Sequence, residues 1–353
     1  MTWTRWARRL FEILRPGRRQ AQRGARRERG RITHIIILDG TMSSLEPGCE
    51  SNAGLAYKLL CEVSNARMSL YYEAGLQWQD WRATGAIITG RGINRQIRRA
   101  YGYLASRYHA GDRIILMGFS RGAYAVRSLA GVIDRVGLLR TVHATERNVV
   151  TAYRHYQAGG DSPAARAFAR DLCHPAVEIE MVGVWDTVKA LGLRLPVLWR
   201  LTEPAHAFHD HRLGPSIRHG FHALALDETR VAYTPVLWTT PPGHRGRVEQ
   251  VWFRGTHADV GGQLGGFEAA RPLANIPFRW MMERLESCGV ALPEGWQARF
   301  PEDVNAPSVG TWRGWGKVFL LRRRREVGRD PSERLHESVL DSEDGIRDLA
   351  TAH

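Results

Sequence analysis

Four short runs of β-branched and aliphatic residues, each running out into a polar turn, set the strongest limit on how this chain can fold. They are "ITHIIILDG" (32–40), "DRIILMG" (112–118), "VEIEMVGVWDTV" (177–188) and "VEQVWFRGTHADVGG" (248–262). Runs this short and this apolar are the mark of strands buried on both faces. Between them lie stretches with helical spacing. Residues 92–111 place Ile93, Ile97, Ala100, Tyr101, Leu104 and Tyr108 on one face and end at Gly111, residues 121–137 end at Gly137, and 277–290 form a third. Strands alternating with helices predict an α/β fold with a mostly parallel, twisted central sheet and helices on both faces. Residues 139–176 and 189–220 are expected as insertions around a mouth or lid. In 291–353 "WGKVFLLRRRREVG" reads as an apolar run and then a basic run on a solvated surface strand or turn.

Open α/β sheets bind ligands beyond the carboxyl ends of their strands. Asp39, Ser120, Asp186 and His257 are all expected there. Ser120 sits in "GFSRG", where a strand gives way to a helix, and Gly118 and Gly122 leave room for a sharp turn and a close helix. This is the layout of a nucleophile elbow, which makes the predicted sheet α/β-hydrolase-like. A serine hydroxyl needs a base and the base needs an orienting acid. His257 and Asp186 follow Ser120 in the chain order Ser, Asp, His, with Asp259 as the rival acid. The oxyanion donors are expected from the N–H of Arg121 and from the loop after the first strand, at Gly40 and Thr41 or at Met42, with Asp39 holding that loop. His219 and His222 read as packing or hydrogen-bonding residues, and His336, far towards the C-terminus in "LHESV", is the weak rival to His257. His209-Asp210-His211 has alternating spacing, a weak metal signal by itself, so neither a metal nor a cofactor is expected.

Charge is unevenly spread. Of the net +14, residues 1–31 carry eleven arginines against two glutamates, or +9, which leaves +5 for the rest. Nucleic-acid binding is therefore not expected of the body of the protein. Trp3, Trp6, Leu10, Phe11, Ile13 and Leu14 fall near one helical face ending at Pro16-Gly17. Residues 1–17 thus read as a basic amphipathic helix able to make peripheral membrane contact, followed by an Arg-rich linker. Nothing in the chain reads as a signal peptide or a transmembrane span. The expected location is cytoplasmic, peripheral to a membrane, or exported without a signal peptide. Cys49, Cys61, Cys173 and Cys288 form no C-x-x-C pair and are expected as buried free thiols in a reducing compartment. The expected organisation is a basic extension at 1–31, a catalytic domain at 32–290, and a C-terminal extension at 291–353 packing on it. The oligomeric state is left open.

The blocks "LDGT", "YYEAG", "GRGINRQIRRAYGYLASRYHAGDRIILMGFSRGAYAVRSLAG", "GVWDTVKALG", "HALALDETR", "EQVWFRGTHADVGG" and "LANIPFRWM" resemble, in order, those of a family of bacterial α/β-hydrolase-fold proteins. Long carried as a domain of unknown function, that family includes the catalytic domains of type VI secretion phospholipase effectors. The resemblance covers about residues 32–290 and reaches "LHESV" (335–339) beyond. It implies a serine lipase or phospholipase whose serine, aspartate and histidine fall on Ser120, Asp186 and His257. This chain departs from the family at Met42-Ser43, where members often carry Trp-Asn, and over 73–90, which members make Gly-rich. The expected function is hydrolysis of carboxylic esters through an acyl-enzyme, with a lipid or other ester as substrate. The alternative is a non-catalytic binding or scaffold protein on a hydrolase fold.

Overall fold

The computed structural model describes residues 29–75, 91–188, 213–312 and 320–340. The expected amphipathic helix, the triplet His209-Asp210-His211 and most of the segments at 73–90 and 189–220 lie outside them. The chain divides into a unit of Met1–Gly30 and one of Arg31–His353, and the sheet belongs to the second.

Seven strands form one sheet: β1 (Thr33–Leu38), β2 (Met68–Glu73), β3 (Arg113–Phe119), β4 (Ile179–Trp185), β5 (Ile217–Ala225), β6 (Val248–Phe253) and β7 (Glu333–Leu335). Their order across the sheet is β2-β1-β3-β4-β5-β6-β7. Every neighbouring pair is parallel. The three inner strands named from sequence, β1, β3 and β4, are almost wholly buried, as expected where helices cover both faces. Because successive side chains alternate, Ile36, Leu38, Ile114 and Leu116 enter one core while Ile35, Ile37, Ile115 and Met117 enter the other. The first core is closed by α2 (Arg91–Ala105), α3 (Ser120–Arg135) and α4 (Glu146–Gln157). The second is closed by α1 (Asn52–Glu62) and α7 (Arg271–Ser287). Between them in the chain come α5 (Pro163–Leu172) and α6 (His257–Gly261), and α8 (Glu337–Leu340) ends the described chain.

Three strands go beyond the sequence expectation. β2 and β7 lie at the two edges, and β5 is "IRHGFHALA", whose polar first half hides a buried second half. The third expected helix starts earlier than Pro277 suggested, because Pro272 takes the first-turn position and Pro277 sits inside α7. All four cysteines are free, but Cys49 and Cys61 are exposed and only Cys173 and Cys288 are buried, which corrects the expectation of buried thiols.

The register of the central strands brings their carboxyl ends level: Leu38 pairs with Gly118, Phe119 with Trp185, Trp185 with Ala223, and Ala225 with Phe253. Helix α3 begins directly after β3 and passes over the end of β1. A Cβ on Gly122 would stand 2.0 Å from the Leu38 carbonyl oxygen, and one on Gly118 would stand 2.8 Å from it. Neither contact can be relieved by a side-chain movement, since the obstacle is backbone. We therefore expect Gly122→Ala to lower the unfolding free energy by about 3 kcal/mol or more, the upper range for overpacking. Thermal denaturation of the full chain measures it, and an unchanged melting temperature would refute the close approach.

Candidate active site

Among the described residues, three non-glycine positions have positive φ: Met42 (61°), Ser120 (57°) and Asp186 (37°). Each follows the carboxyl end of a different strand, β1, β3 or β4. Such backbone is costly for residues with a Cβ and persists where the surroundings over-determine it. At Ser120 the strain lifts the side chain off the strand direction and off the helix, and aims it across the strand ends.

Ser120 Oγ lies 2.9 Å from His257 Nε2, and His257 Nδ1 lies 2.6 Å from Asp186 Oδ2. The sequence-expected serine, histidine and aspartate are thus one continuous hydrogen-bonded line, all buried. His257 opens α6, two residues beyond Gly255 in the turn after β6. Its ring is held between Phe119 and Tyr233, each with its ring centroid 4.8 Å away. Its backbone N–H donates to Glu228 Oε2.

Asp186 carries a heavy electrostatic burden, because it is fully buried. Burial by itself raises the proton affinity of a carboxylate. Here the opposing causes win: the Arg325 guanidinium and the hydrogen bond from His257 hold the Asp186 carboxyl well below the usual carboxylate range. Arg325 forks onto it, donating to Oδ1 at 2.5 Å and to Oδ2 at 2.9 Å, and the Ala225 N–H donates to Oδ1 at 3.1 Å. His222 supports the turn from below, its Nε2 accepting the Thr187 N–H at 3.1 Å. Burial, then the charge of Arg127, pushes the His222 imidazole down to about 3, so it stays neutral beside the pair.

Asp39 organises the loop after β1. Its carboxylate accepts from the Gly40 N–H (2.6 Å), the Ser51 hydroxyl (2.7 Å) and the Tyr72 hydroxyl (2.8 Å). Burial raises its proton affinity against those three bonds. The Gly40 N–H, named from sequence as an oxyanion donor, therefore points at Asp39. Gly40 instead serves by its lack of a Cβ, which would meet the Phe119 ring at 2.7 Å. Of the expected donors, Thr41, Met42 and Arg121 have N–H groups with no partner among the described residues. The Thr41 carbonyl is tied to Gln263 Nε2 at 3.0 Å, which steadies that peptide.

Asp259, the rival acid, faces away from the imidazole. It accepts the Thr256 N–H and hydroxyl at 2.7 Å each, the Ser308 hydroxyl at 2.5 Å and the Val309 N–H at 2.8 Å, so it caps α6 and fastens the 308–309 loop. His336 stacks on Phe253. Among the described residues no cluster of three or more His, Cys, Asp or Glu side chains could hold a metal ion. No helix among them is long and apolar enough to cross a membrane.

Sequence reasoning missed Arg325, Glu228 and Tyr233. Glu228 pairs with Arg230, whose guanidinium lies 3.9 Å from the centroid of the Tyr233 ring. Burial raises the Glu228 carboxyl, and the Arg230 pair outweighs it, so Glu228 is held ionised. Arg325 belongs to the basic run expected to be solvated, yet its side chain is only 4% exposed. One arginine in a row of four carries no local mark that separates it from its neighbours.

A parallel α/β sheet with a strained serine after a central strand and a Ser–His–Asp line across its carboxyl end is the layout of the α/β-hydrolase fold. Residues 33–284 match the family described as "T6SS, Phospholipase effector Tle1-like, catalytic domain". The chain belongs to that family of phospholipase catalytic domains. It is 26% identical over 237 residues to the uncharacterized protein YEL023C of Saccharomyces cerevisiae, covering 59% of this chain and 33% of the yeast protein, so sequence likeness to this chain is not confined to bacteria. Two solved structures are similar. One is an uncharacterized protein from Pseudomonas aeruginosa, with 16% identity, a TM-score of 0.42 and coverage of 77% of this chain and 49% of that one. The other is the Tle1 effector bound to the VgrG spike from the type 6 secretion system, with 17% identity, a TM-score of 0.30 and coverage of 66% and 51%. The chain spans about a third of the yeast relative and about half of the solved chains.

The depressed Asp186 carboxyl makes a pH-dependent stability prediction. A group whose folded value lies below its unfolded value contributes stability that is full above the unfolded value, about 3.9 for Asp, and is lost as pH falls towards the folded value. Asp186→Asn, which mimics the protonated group and leaves the Arg325 charge unpaired, is expected to cost about 3–5 kcal/mol at pH 7. The gap between wild type and Asn should narrow as pH drops below about 4. Urea unfolding at several pH values checks this, and a pH-independent gap would contradict it.

Proposed function

We propose that this protein hydrolyses carboxylic esters of phospholipids by nucleophilic catalysis, with Ser120 as nucleophile, His257 as general base and acid, and Asp186 as the acid that orients His257. The observation that carries this reading is the unbroken hydrogen-bonded line from Ser120 Oγ through both imidazole nitrogens to Asp186, with the serine held at φ 57°. The phospholipid substrate rests on the family to which residues 33–284 belong.

In this mechanism His257 Nε2 takes the Ser120 proton as Oγ attacks the acyl carbonyl carbon. The carbonyl oxygen becomes an oxyanion that accepts hydrogen bonds from the N–H groups of Arg121, at the start of α3, and Thr41. The dipole of α3, a 16-residue helix opening at Ser120, adds positive potential there. The tetrahedral species collapses as His257 gives its proton to the leaving alcohol oxygen, a lysophospholipid. Water then attacks the acyl-enzyme with His257 again as base, and the fatty acid leaves as Ser120 recovers its proton. Asp186 stays ionised throughout and holds the imidazole in the tautomer that presents Nε2 to the serine.

Ser120→Ala is expected to lower kcat by on the order of 10⁴-fold or more, on short p-nitrophenyl esters and on phospholipid vesicles alike, with the melting temperature preserved. Mass spectrometry of the vesicle products should show lysophospholipid and free fatty acid in equal amounts from wild type. Retained turnover in the Ala variant would rule out Ser120 as nucleophile. Phosphate-ester products in place of free fatty acid would rule out acyl hydrolysis.

A further inference from the structure

We propose that Arg325, carried by the C-terminal segment outside the family-matched residues 33–284, is a positioning residue that locks Asp186 to His257 and tunes the pair. The inference rests on the triad reading above and names a part that reading does not contain.

The geometry is that of a built site. Each Asp186 oxygen accepts two bonds: Oδ1 from the Ala225 N–H and from Arg325, and Oδ2 from Arg325 at 2.9 Å while standing 2.6 Å from His257 Nδ1. A planar guanidinium on both oxygens fixes the plane of the carboxylate, so Oδ2 has one direction left for the imidazole. Arg325 is itself anchored, donating to the Ala225 carbonyl at 2.7 Å and the Tyr233 carbonyl at 2.5 Å. The segment is pinned on either side. Leu321 and Arg323 pair with Val231 and Thr229 through backbone hydrogen bonds of 3.0 and 2.8 Å. Asp330 takes the Thr240 N–H at 2.9 Å, and β7 adds to the sheet against β6. Two of the four bonds to the Asp186 carboxylate thus come from this C-terminal segment.

The second consequence is electrostatic. The groups facing the pair are Glu228 at the His257 backbone, Tyr233 over its ring, Ser120 on Nε2, neutral His222 beneath Asp186 with Arg127 behind it, and the cations Arg325 and Arg230. Arg121 lies further out, towards Tyr233. Of the cations, Arg325 is the one bonded to the carboxylate. Asp186 and His257 form one hydrogen-bonded unit, and Arg325 sets its guanidinium against it. A fixed positive charge on that unit disfavours uptake of a further proton. Without Arg325 the buried carboxylate keeps only His257 and one N–H, and the loss of a fixed positive charge beside the pair moves the acid limb of activity to higher pH.

The test uses the full chain with Arg325→Met and Arg325→Lys. Labelling of Ser120 by a fluorophosphonate probe and turnover of a p-nitrophenyl ester are each followed from pH 4.5 to 9, with thermal unfolding as a check. We expect the acid limb of Arg325→Met to move up by about one pH unit or more, with kcat reduced by about 10-fold or more. Arg325→Lys keeps the charge without the fork, so its acid limb stays near wild type while kcat falls. A Met variant whose limb coincides with wild type, or a Lys variant no nearer to wild type than Met, overturns the proposal. Should the Met variant not fold, the Lys variant decides: a limb in place with lowered kcat supports the proposal, and an unchanged kcat overturns it. A wild-type protein that the probe does not label overturns the triad reading and this inference with it, whereas labelled wild type with an unmoved limb overturns the inference alone.

Discussion

A carboxylate with no solvent exposure, placed at the end of a central strand, is the constraint around which this site is arranged. Removing a charge from water costs several kcal/mol unless partners replace the lost hydration. Asp186 meets that condition with a guanidinium, an imidazole and a backbone N–H, drawn from the C-terminal segment, the turn after β6 and the end of β5. Those partners also bring together segments that are far apart in sequence: His257 is 71 residues from Asp186 and Arg325 is 139. The burial that makes the aspartate costly is what makes its orientation of His257 firm.

The same arrangement explains where backbone strain is tolerated. Met42, Ser120 and Asp186 each adopt positive φ in loops that leave level strand ends. Around Ser120 the neighbours leave little freedom: Gly122 presses the Leu38 carbonyl, Gly40 lies against Phe119, and Phe119 packs on the His257 ring. A residue so confined has no low-energy alternative to relax into, so the strain persists in the folded state. Asp39 does for the loop after β1 what Asp186 does for the imidazole, fixing a flexible piece by accepting several hydrogen bonds at once. Both aspartates are buried at strand ends, yet their proton affinities are driven in opposite directions. Asp186 has a cation beside it, whereas the partners of Asp39 are neutral donors.

Much of this was legible in the sequence, because the information was local. Period and composition marked β1, β3, β4 and β6, since strands covered by helices on both faces must be apolar throughout. The glycines around Ser120 and the helical spacing after it marked the elbow. The order of Ser120, Asp186 and His257, each at the carboxyl end of a strand, made them one candidate site. The edge strands β2 and β7 were not legible, because a half-exposed or three-residue strand has no distinctive pattern. Neither was β5, whose polar amino half masks its buried end. Asp259 shows the limit of proximity in sequence: two residues from His257, it turns back to cap the helix that His257 opens. Gly40 was chosen for its N–H, and the fold uses its missing Cβ.

What the sequence by itself determined is the parallel α/β sheet, the strained serine and the line of three residues, because each follows from the pattern of a continuous stretch and from the rule that strand ends gather at one edge. What only the tertiary structure decided is which charges meet. Four consecutive arginines at 322–325 are equivalent as a string, and burial separates them. Arg325 turns inward because Asp186 waits there without solvent, while Arg323 and Arg324 remain exposed. Selection of one cation from such a run depends on the desolvation of a partner 139 residues away, and a cost of that kind exists only once the chain has folded.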